Sequence, residues 1–577
     1  MFSRRRVAAA AAVTAAAALA LTACGSSTSS SSSTSAAATS AASSAASSAA
    51  SGAASSAAST PAKAGGSFSI ASEEPQNLIP SNCYDLYCAN VLRQMYTGLF
   101  KFEIQADGTM APVPTPLVDS ITTSDGGTTW SIKIKDGWTF TNGEPITAQT
   151  FADTWNFAAY ADNGQQLGFV FGPSQLNVVG YDKVSTKGAA TKTLEGVKVI
   201  SPTELQMTLV APLGQSLFEN YLAGPQIYEM PSVAFKDIEA FNKQPIGDGP
   251  YKMDVPWTPN QKIDLVKNPD FKGTAGNADA VQFRVYNDTN AEWADLQANN
   301  VDVVPILPTA AIPQAPQALG DRFINTPGAL SFSYYFFPLQ GTTFANKDVR
   351  RAIAMAIDTE TIDKKIYFDT RQRATAWSPS TIPGGGTDAC GENCMYNPTK
   401  AKELLTAAGG IPGNKVQIAA LQGSPNLEPK ATCDMIQANL GVECTLKLFP
   451  DFGAMLDAFQ KIGPNDAGFI GALGWGADNP TMANMMAPIM GTDSPSNYIG
   501  YSNPTFDKLI AEGNAAQDSA VQIAKWQEAQ KVLYDDFAAY PTQWRNTVAG
   551  YSTNVSNVVV SPQQYLNIPQ IVVNNAG

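Results

Sequence analysis

An α/β body of several lobes is what the 577 residues specify. Strand-like and helix-like periodicities alternate along the whole chain. About five hundred residues follow a low-complexity leader, several times the ~100–200 usual for one domain. Neither a tandem repeat nor a second membrane-length apolar run interrupts them.

The chain opens on MFSRRRVAAAAAVTAAAALALTACGSS, in which Arg4–Arg6 precede an apolar run and a small-residue cleavage site. This is the order of a secretory signal peptide, over residues 1–24, and the run is too short and too alanine-rich to span a membrane. Leu21, Thr22, Ala23 and Cys24 resemble the lipobox of bacterial lipoproteins, in which the cysteine takes a diacylglycerol and becomes the mature N-terminus. The three consecutive arginines leave open whether export is by the Sec or the twin-arginine route. Residues 25–64 are almost only Ser, Ala, Gly and Thr, with no apolar side chains from which to build a core. Such a tether spans roughly 35 Å root-mean-square.

Beyond it, WSIKIKDGWTF from Trp130 alternates apolar and polar residues over Trp130, Ile132 and Ile134 as a half-buried strand does, and KIDLVKNPD and VQFRVYND repeat the period around Ile263 and Val281. DVRRAIAMAI puts Val349, Ala352, Ile353, Ala356 and Ile357 on one helical face. NPTKAKELLTAAGG reads as a whole helix, with Asn397 as N-cap, Pro398 in the first turn and Gly409 past the end. IAKWQEAQKVLYDDFAAY predicts an amphipathic helix with Trp526, Leu533 and Phe537 on its apolar face.

Composition excludes more than it identifies. The net charge of −13 becomes more negative once the leader arginines are lost, which argues against nucleic acid as a partner. There is no histidine, so neither a His-dependent nucleophile system nor a His-ligated catalytic zinc can be built. Paired-carboxylate chemistry stays open. Of the seven cysteines, six remain after Cys24, and in an exported chain they favour disulfides. Spacing suggests Cys83 with Cys88, Cys390 with Cys394 and Cys433 with Cys444, other pairings being formally possible. A zinc site is disfavoured because CYDLYC and CGENC lack the usual two-residue gap.

Several stretches, in order, resemble the bacterial extracellular solute-binding proteins that include the oligopeptide- and dipeptide-binding lipoproteins of ABC importers. They are MYTGLFKFE…WTFTNGEPITAQTFADTW from Met95, PIGDGPYKMDVPWTPNQKIDLVKNPDFKG from Pro245, FANKDVRRAIAMAID from Phe344, YNPTKAKELLTAAG from Tyr396 and GWGADNP from Gly474. Thr141 stands where members commonly have histidine, and Pro338 where many have asparagine. The resemblance implies a type II periplasmic-binding-protein-like α/β fold: two large lobes with a hinge, plus an extra α/β lobe. By that analogy the first lobe takes residues 65–100, 228–328 and 548–577, the extra lobe 101–227 and the second lobe 329–547.

In peptide-binding members the Gly-Trp segment lines the cleft, and an aspartate three residues after the tryptophan pairs with the ligand's α-amino group. The resemblance carries that role to Asp478, with Trp475, Gly476 and Ala477 lining the same cleft and Asn77 facing it. Main chain beside Asp478 would pair with an extended peptide as an added strand. The structural alternative for the segment is that Asp478 or Asn479 caps a helix starting at Pro480. The expectation is therefore a monomeric, lipid-anchored receptor on the outer face of the membrane. It captures short peptides for an ABC permease, without catalysis or cofactor and without nucleic acid. Competing expectations are the same fold binding a cellobiose-like oligosaccharide or another small solute, a ligand-binding sensor lipoprotein, and a carboxylate-pair glycosidase. Nickel and haem, also carried by relatives, are disfavoured by the lack of histidine.

Overall fold

The computed structural model describes residues 65–574. The expected signal peptide, Cys24 and the expected tether lie outside the described residues. Among those described, no helix is long and apolar enough to cross a membrane.

A seven-stranded mixed sheet is built on the strand Ser67–Ser72, whose sequence SFSIAS is buried at all but its first residue. It pairs in parallel with Ala280–Val285 and with Val303–Val304. Lys262–Lys267 and Tyr251–Lys252 extend one side, Thr547–Tyr551 and Phe323–Thr326 the other. A four-stranded sheet follows the spatial order Arg371–Arg373, Ala539–Arg545, Ser331–Phe336, Gly471–Gly476, so the last of these is an edge strand. A third sheet orders Val118–Thr123, Thr129–Ile134, Glu204–Thr208 and Val197–Ser201. Trp130 of this sheet is fully buried and stacks on Phe218 at 4.2 Å.

The chain passes between the first two sheets at two places, residues 327–330 and Asn546. The two crossings run side by side. Phe323–Thr326 pairs with Thr547–Tyr551 before them and Ser331–Phe336 with Ala539–Arg545 after them. Between the ladders Ala329 N–H donates to the Arg545 carbonyl at 3.0 Å, and Asn546 Nδ2 to Asn325 Oδ1 at 2.8 Å.

The expected strands and helices are largely in place. The strand expected over Trp130, Ile132 and Ile134 spans Thr129–Ile134, and Thr139 bridges to Pro145 beyond it. The C-terminal helix is shorter than expected and ends at Asp536; Phe537 caps it in the left-handed region (φ 52°), its ring stacked on Tyr540. Asn397 does cap its helix, accepting from Lys400 N–H at 3.0 Å. The six cysteines form Cys83–Cys88, Cys390–Cys394 and Cys433–Cys444 disulfides.

One buried feature was not legible in advance. Glu229 and Asp248 are both buried, at 0% and 3% exposure. Glu229 Oε1 accepts from Gly98 N–H at 3.1 Å and Asp248 Oδ1 from Thr97 N–H at 3.0 Å. Gly98 has φ +64°, and a Cβ there would lie 2.4 Å from the Tyr228 ring. The second oxygen of each acid has no donor. Two carboxylates only accept, so a proton on Glu229 shared with Asp248 satisfies both. Burial first, and the Asp248 charge second, push the Glu229 carboxyl well above 4.5. A raised folded pKa contributes stability that is full below the unfolded value and is lost as pH rises through the folded one. Glu229→Gln supplies the donor permanently. Its melting temperature should therefore fall less than that of the unaltered chain as pH rises above the ordinary carboxylate range; parallel curves would show that no proton is shared.

Candidate functional site

Asp478 follows directly on the edge strand Gly471–Gly476, which pairs antiparallel with Ser331–Phe336 in the register Ser331↔Gly476 to Phe336↔Gly471. Ala477 N–H donates to the Leu330 carbonyl at 2.8 Å, which sets the phase of the ladder. In an antiparallel pair, hydrogen-bonded and non-bonded positions alternate. Trp475 and Leu473 thus spend their main-chain groups on the neighbouring strand, while Gly474 and Gly476 turn theirs to the free edge. Both glycines are exposed, and a Cβ on Gly476 would meet nothing within 4 Å.

The turn after the strand is held by Asn484. Its Oδ1 accepts from Asp478 N–H at 2.8 Å, and its carbonyl accepts the Trp475 indole N–H at 2.9 Å. The helix begins at Met482, with Thr481 as N-cap accepting from Asn484 N–H at 3.3 Å. This corrects the expectation that Asp478 or Asn479 caps a helix from Pro480. Asn479 instead receives the Thr481 hydroxyl at 2.7 Å. The Asp478 carboxylate is thereby free of a capping duty. Trp475, half-buried and tied through its N–H, serves the packing of this turn.

Around Asp478 gather residues from remote parts of the chain. Gln563 Nε2 donates to the Asp478 carbonyl at 3.2 Å. Tyr221, on the helix Gln215–Tyr221, and Tyr565 lie close enough that the Asp478 charge helps hold both phenols protonated, behind the larger effect of their own burial. Arg93 lies over the Tyr565 ring at 4.1 Å. The Asp478 side chain remains exposed to solvent, yet protein surrounds it on several sides. That enclosure raises its carboxyl above 3.8, and the Asn484 amide pulls it part of the way back. Among the described residues it forms no salt bridge. An exposed, enclosed carboxylate with no cation of its own, beside a free strand edge, suits a ligand that brings both an ammonium and main-chain amides.

Asn77 is placed differently. Its Nδ2 donates to the Asn82 carbonyl at 3.1 Å and its Oδ1 accepts from Ile79 N–H at 3.0 Å, so its amide shapes its own loop. The Cys83–Cys88 loop leans on the segment around Gln165, through Ser81 Oγ to Gln165 Oε1 at 2.8 Å. An open groove of ~730 Å³ lined by Lys101, Glu103, Lys135 and Glu219 holds none of the residues around Asp478. Tyr221, Gln563 and Tyr565 escaped the reading of the sequence because nothing local marks them; only the fold brings them to Asp478.

Comparison with known proteins places the chain in a family. The description "Bacterial extracellular solute-binding proteins, family 5 Middle" matches residues 112–497. The oligopeptide-binding protein OppA of Bacillus subtilis is 24% identical over 521 residues, 84% of this chain and 89% of that protein. Among solved structures, the unliganded open form of the murein tripeptide-binding protein MppA superposes with a TM-score of 0.75 at 20% identity, covering 88% of this chain and 97% of that one. The clavulanic acid biosynthesis oligopeptide-binding protein 2 gives 0.76 at 20% identity, covering 89% and 96%.

Proposed function

The chain belongs to the bacterial extracellular solute-binding proteins of family 5, and from that premise we propose that it captures short peptides at the seam around Asp478 and passes them to an ABC permease. It is a binding protein of the transport class, with a type II α/β fold, and not an enzyme. On this reading it is monomeric and held to the outer face of the membrane by a lipid on Cys24, with residues 25–64 as the tether. The seven-stranded sheet belongs to one large lobe, the four-stranded sheet to the other and the third sheet to the extra lobe. Closing these lobes on the ligand is the state the permease reads.

The observation that supports this best is the Asp478 carboxylate, unpaired among the described residues, beside the free main-chain groups of Gly474 and Gly476. An ammonium there gains a charge-assisted hydrogen bond, and the edge strand supplies sequence-independent affinity. Native mass spectrometry of residues 63–577, freshly purified, tests the reading. Added masses that sequence as short peptides are expected. A single mass matching a sugar would overturn it.

A further inference from the structure

We propose that Arg545 receives the C-terminal carboxylate of the bound peptide, so that Asp478 and Arg545 together select zwitterionic ligands of about three or four residues. This rests on the peptide reading above and adds a length and an end-group to it.

Arg545 closes the strand Ala539–Arg545, two strands away from the free edge. Its guanidinium nevertheless reaches the edge strand, because a Cβ on Gly474 would lie only 2.5 Å from Arg545 Nη2. Any side chain at 474 would block that reach; glycine leaves it open. The guanidinium is exposed, and among the described residues it has neither a salt bridge nor a hydrogen bond.

Its neighbour Arg371 is fully engaged. Arg371 Nη1 donates to Ser333 Oγ at 2.8 Å and lies 3.7 Å from Glu428 Oε2, and the guanidinium carbon sits 3.3 Å over the Tyr367 ring. Glu428 in turn receives the hydroxyls of Tyr367 and, at 3.2 Å, of Tyr335. Arg371 therefore has a counter-charge in Glu428, whereas the Arg545 guanidinium has no carboxylate within ion-pair distance among the described residues. Enclosure first, and the Arg371 charge second, pull the Arg545 pKa below 12.5, with Tyr367 and Glu428 opposing them. A planar carboxylate supplies a counter-charge in the paired geometry a guanidinium favours.

The spacing sets the length. Gly474 precedes Asp478 by four residues, about 13 Å of extended chain. A peptide with its ammonium at Asp478 and its carboxylate at Arg545 runs antiparallel to Gly471–Gly476 and passes the free groups of Gly476 and Gly474. Three or four residues span about 10–14 Å, whereas two span about 7 Å and leave one anchor empty.

Titration calorimetry on the full-length chain tests this with alanine peptides of two to six residues, each as free acid and as C-terminal amide. At three and four residues the acid should bind about 10-fold tighter than the amide or better. Arg545→Gln should bring that ratio to about 1 by weakening the acid alone. Acid and amide of equal affinity in the unaltered chain would overturn the carboxylate role while leaving the peptide reading intact. So would an Arg545→Gln variant that keeps the discrimination. Should no alanine peptide bind in either form, both readings fall. The acid-to-amide ratio of the unaltered chain decides the matter even if the variant does not fold.

Discussion

Asp478→Asn weakens the binding of free-amine peptides by about 10- to 100-fold and leaves N-acetylated peptides nearly unaffected. The asparagine keeps the shape of the site and its polarity but removes the charge. What is lost is the charge-assisted part of the contact, about 1.5–3 kcal/mol. The same charge dictates a pH dependence. Enclosure lifts the Asp478 carboxyl above 3.8. Affinity is therefore full well above that raised value and declines as pH falls through it, because a protonated acid no longer attracts the ammonium. The free protein shows the opposite sign: ionising a carboxyl whose folded pKa is raised costs stability as pH rises, and a bound ammonium offsets that cost. Titrations of one peptide and its acetylated form at several pH values check both statements. A flat pH profile, or an equal loss for the two ligands, would remove Asp478 from the amine contact.

Arg350→Met destabilises the body by about 3–5 kcal/mol and lowers its melting temperature by ~10 °C. Arg350 lies on the helix Lys347–Met355 and is 4% exposed. It donates to the carbonyls of Phe344 at 2.6 Å, Ala345 at 3.0 Å and Phe537 at 2.8 Å, and also to that of Asp536. Those carbonyls close two chain reversals, one before its own helix and one at the left-handed end of the C-terminal helix. Methionine fills much of the volume and satisfies none of them. Burial pulls the guanidinium pKa down to about 10, so it stays charged at neutral pH and the hydrogen bonds hold it in place. Arg350→Lys should fall between the two, since a single ammonium cannot span the same acceptors. A melting temperature for Arg350→Met within a degree or two of the unaltered chain would show that water replaces the lost donors.

The periodic elements were legible because their signals are local. Ile263 and Leu265, or Val349 and Ile353, repeat with the geometry of the element they belong to, and all are buried. Arg350 sits inside the same helical pattern as a break in it, and neither pattern nor propensity reveals that a charged residue is interior. The site divides in the same way. GWGAD is contiguous, so Asp478 and Gly476 could be named from the sequence by its resemblance to the family. Arg545 could not. Its relevance depends on the strand order, on the register that sets Gly474 against Ser333, and on a missing side chain in another strand. The Phe537 cap was hidden for a related reason: a phenylalanine in the left-handed region is held by Tyr540 and Arg350, not by its own preference.

The paired crossings at residues 327–330 and Asn546 limit how the two sheets can move. Two strands laddered to each other on both sides, and fastened between the ladders by Ala329 and Arg545, resist twisting and sliding alike. On the proposed reading they act as a door hinge and not as a ball joint: motion of the sheets reduces to a single angle, and a permease needs to sense only that angle, whatever side chains the captured peptide carries.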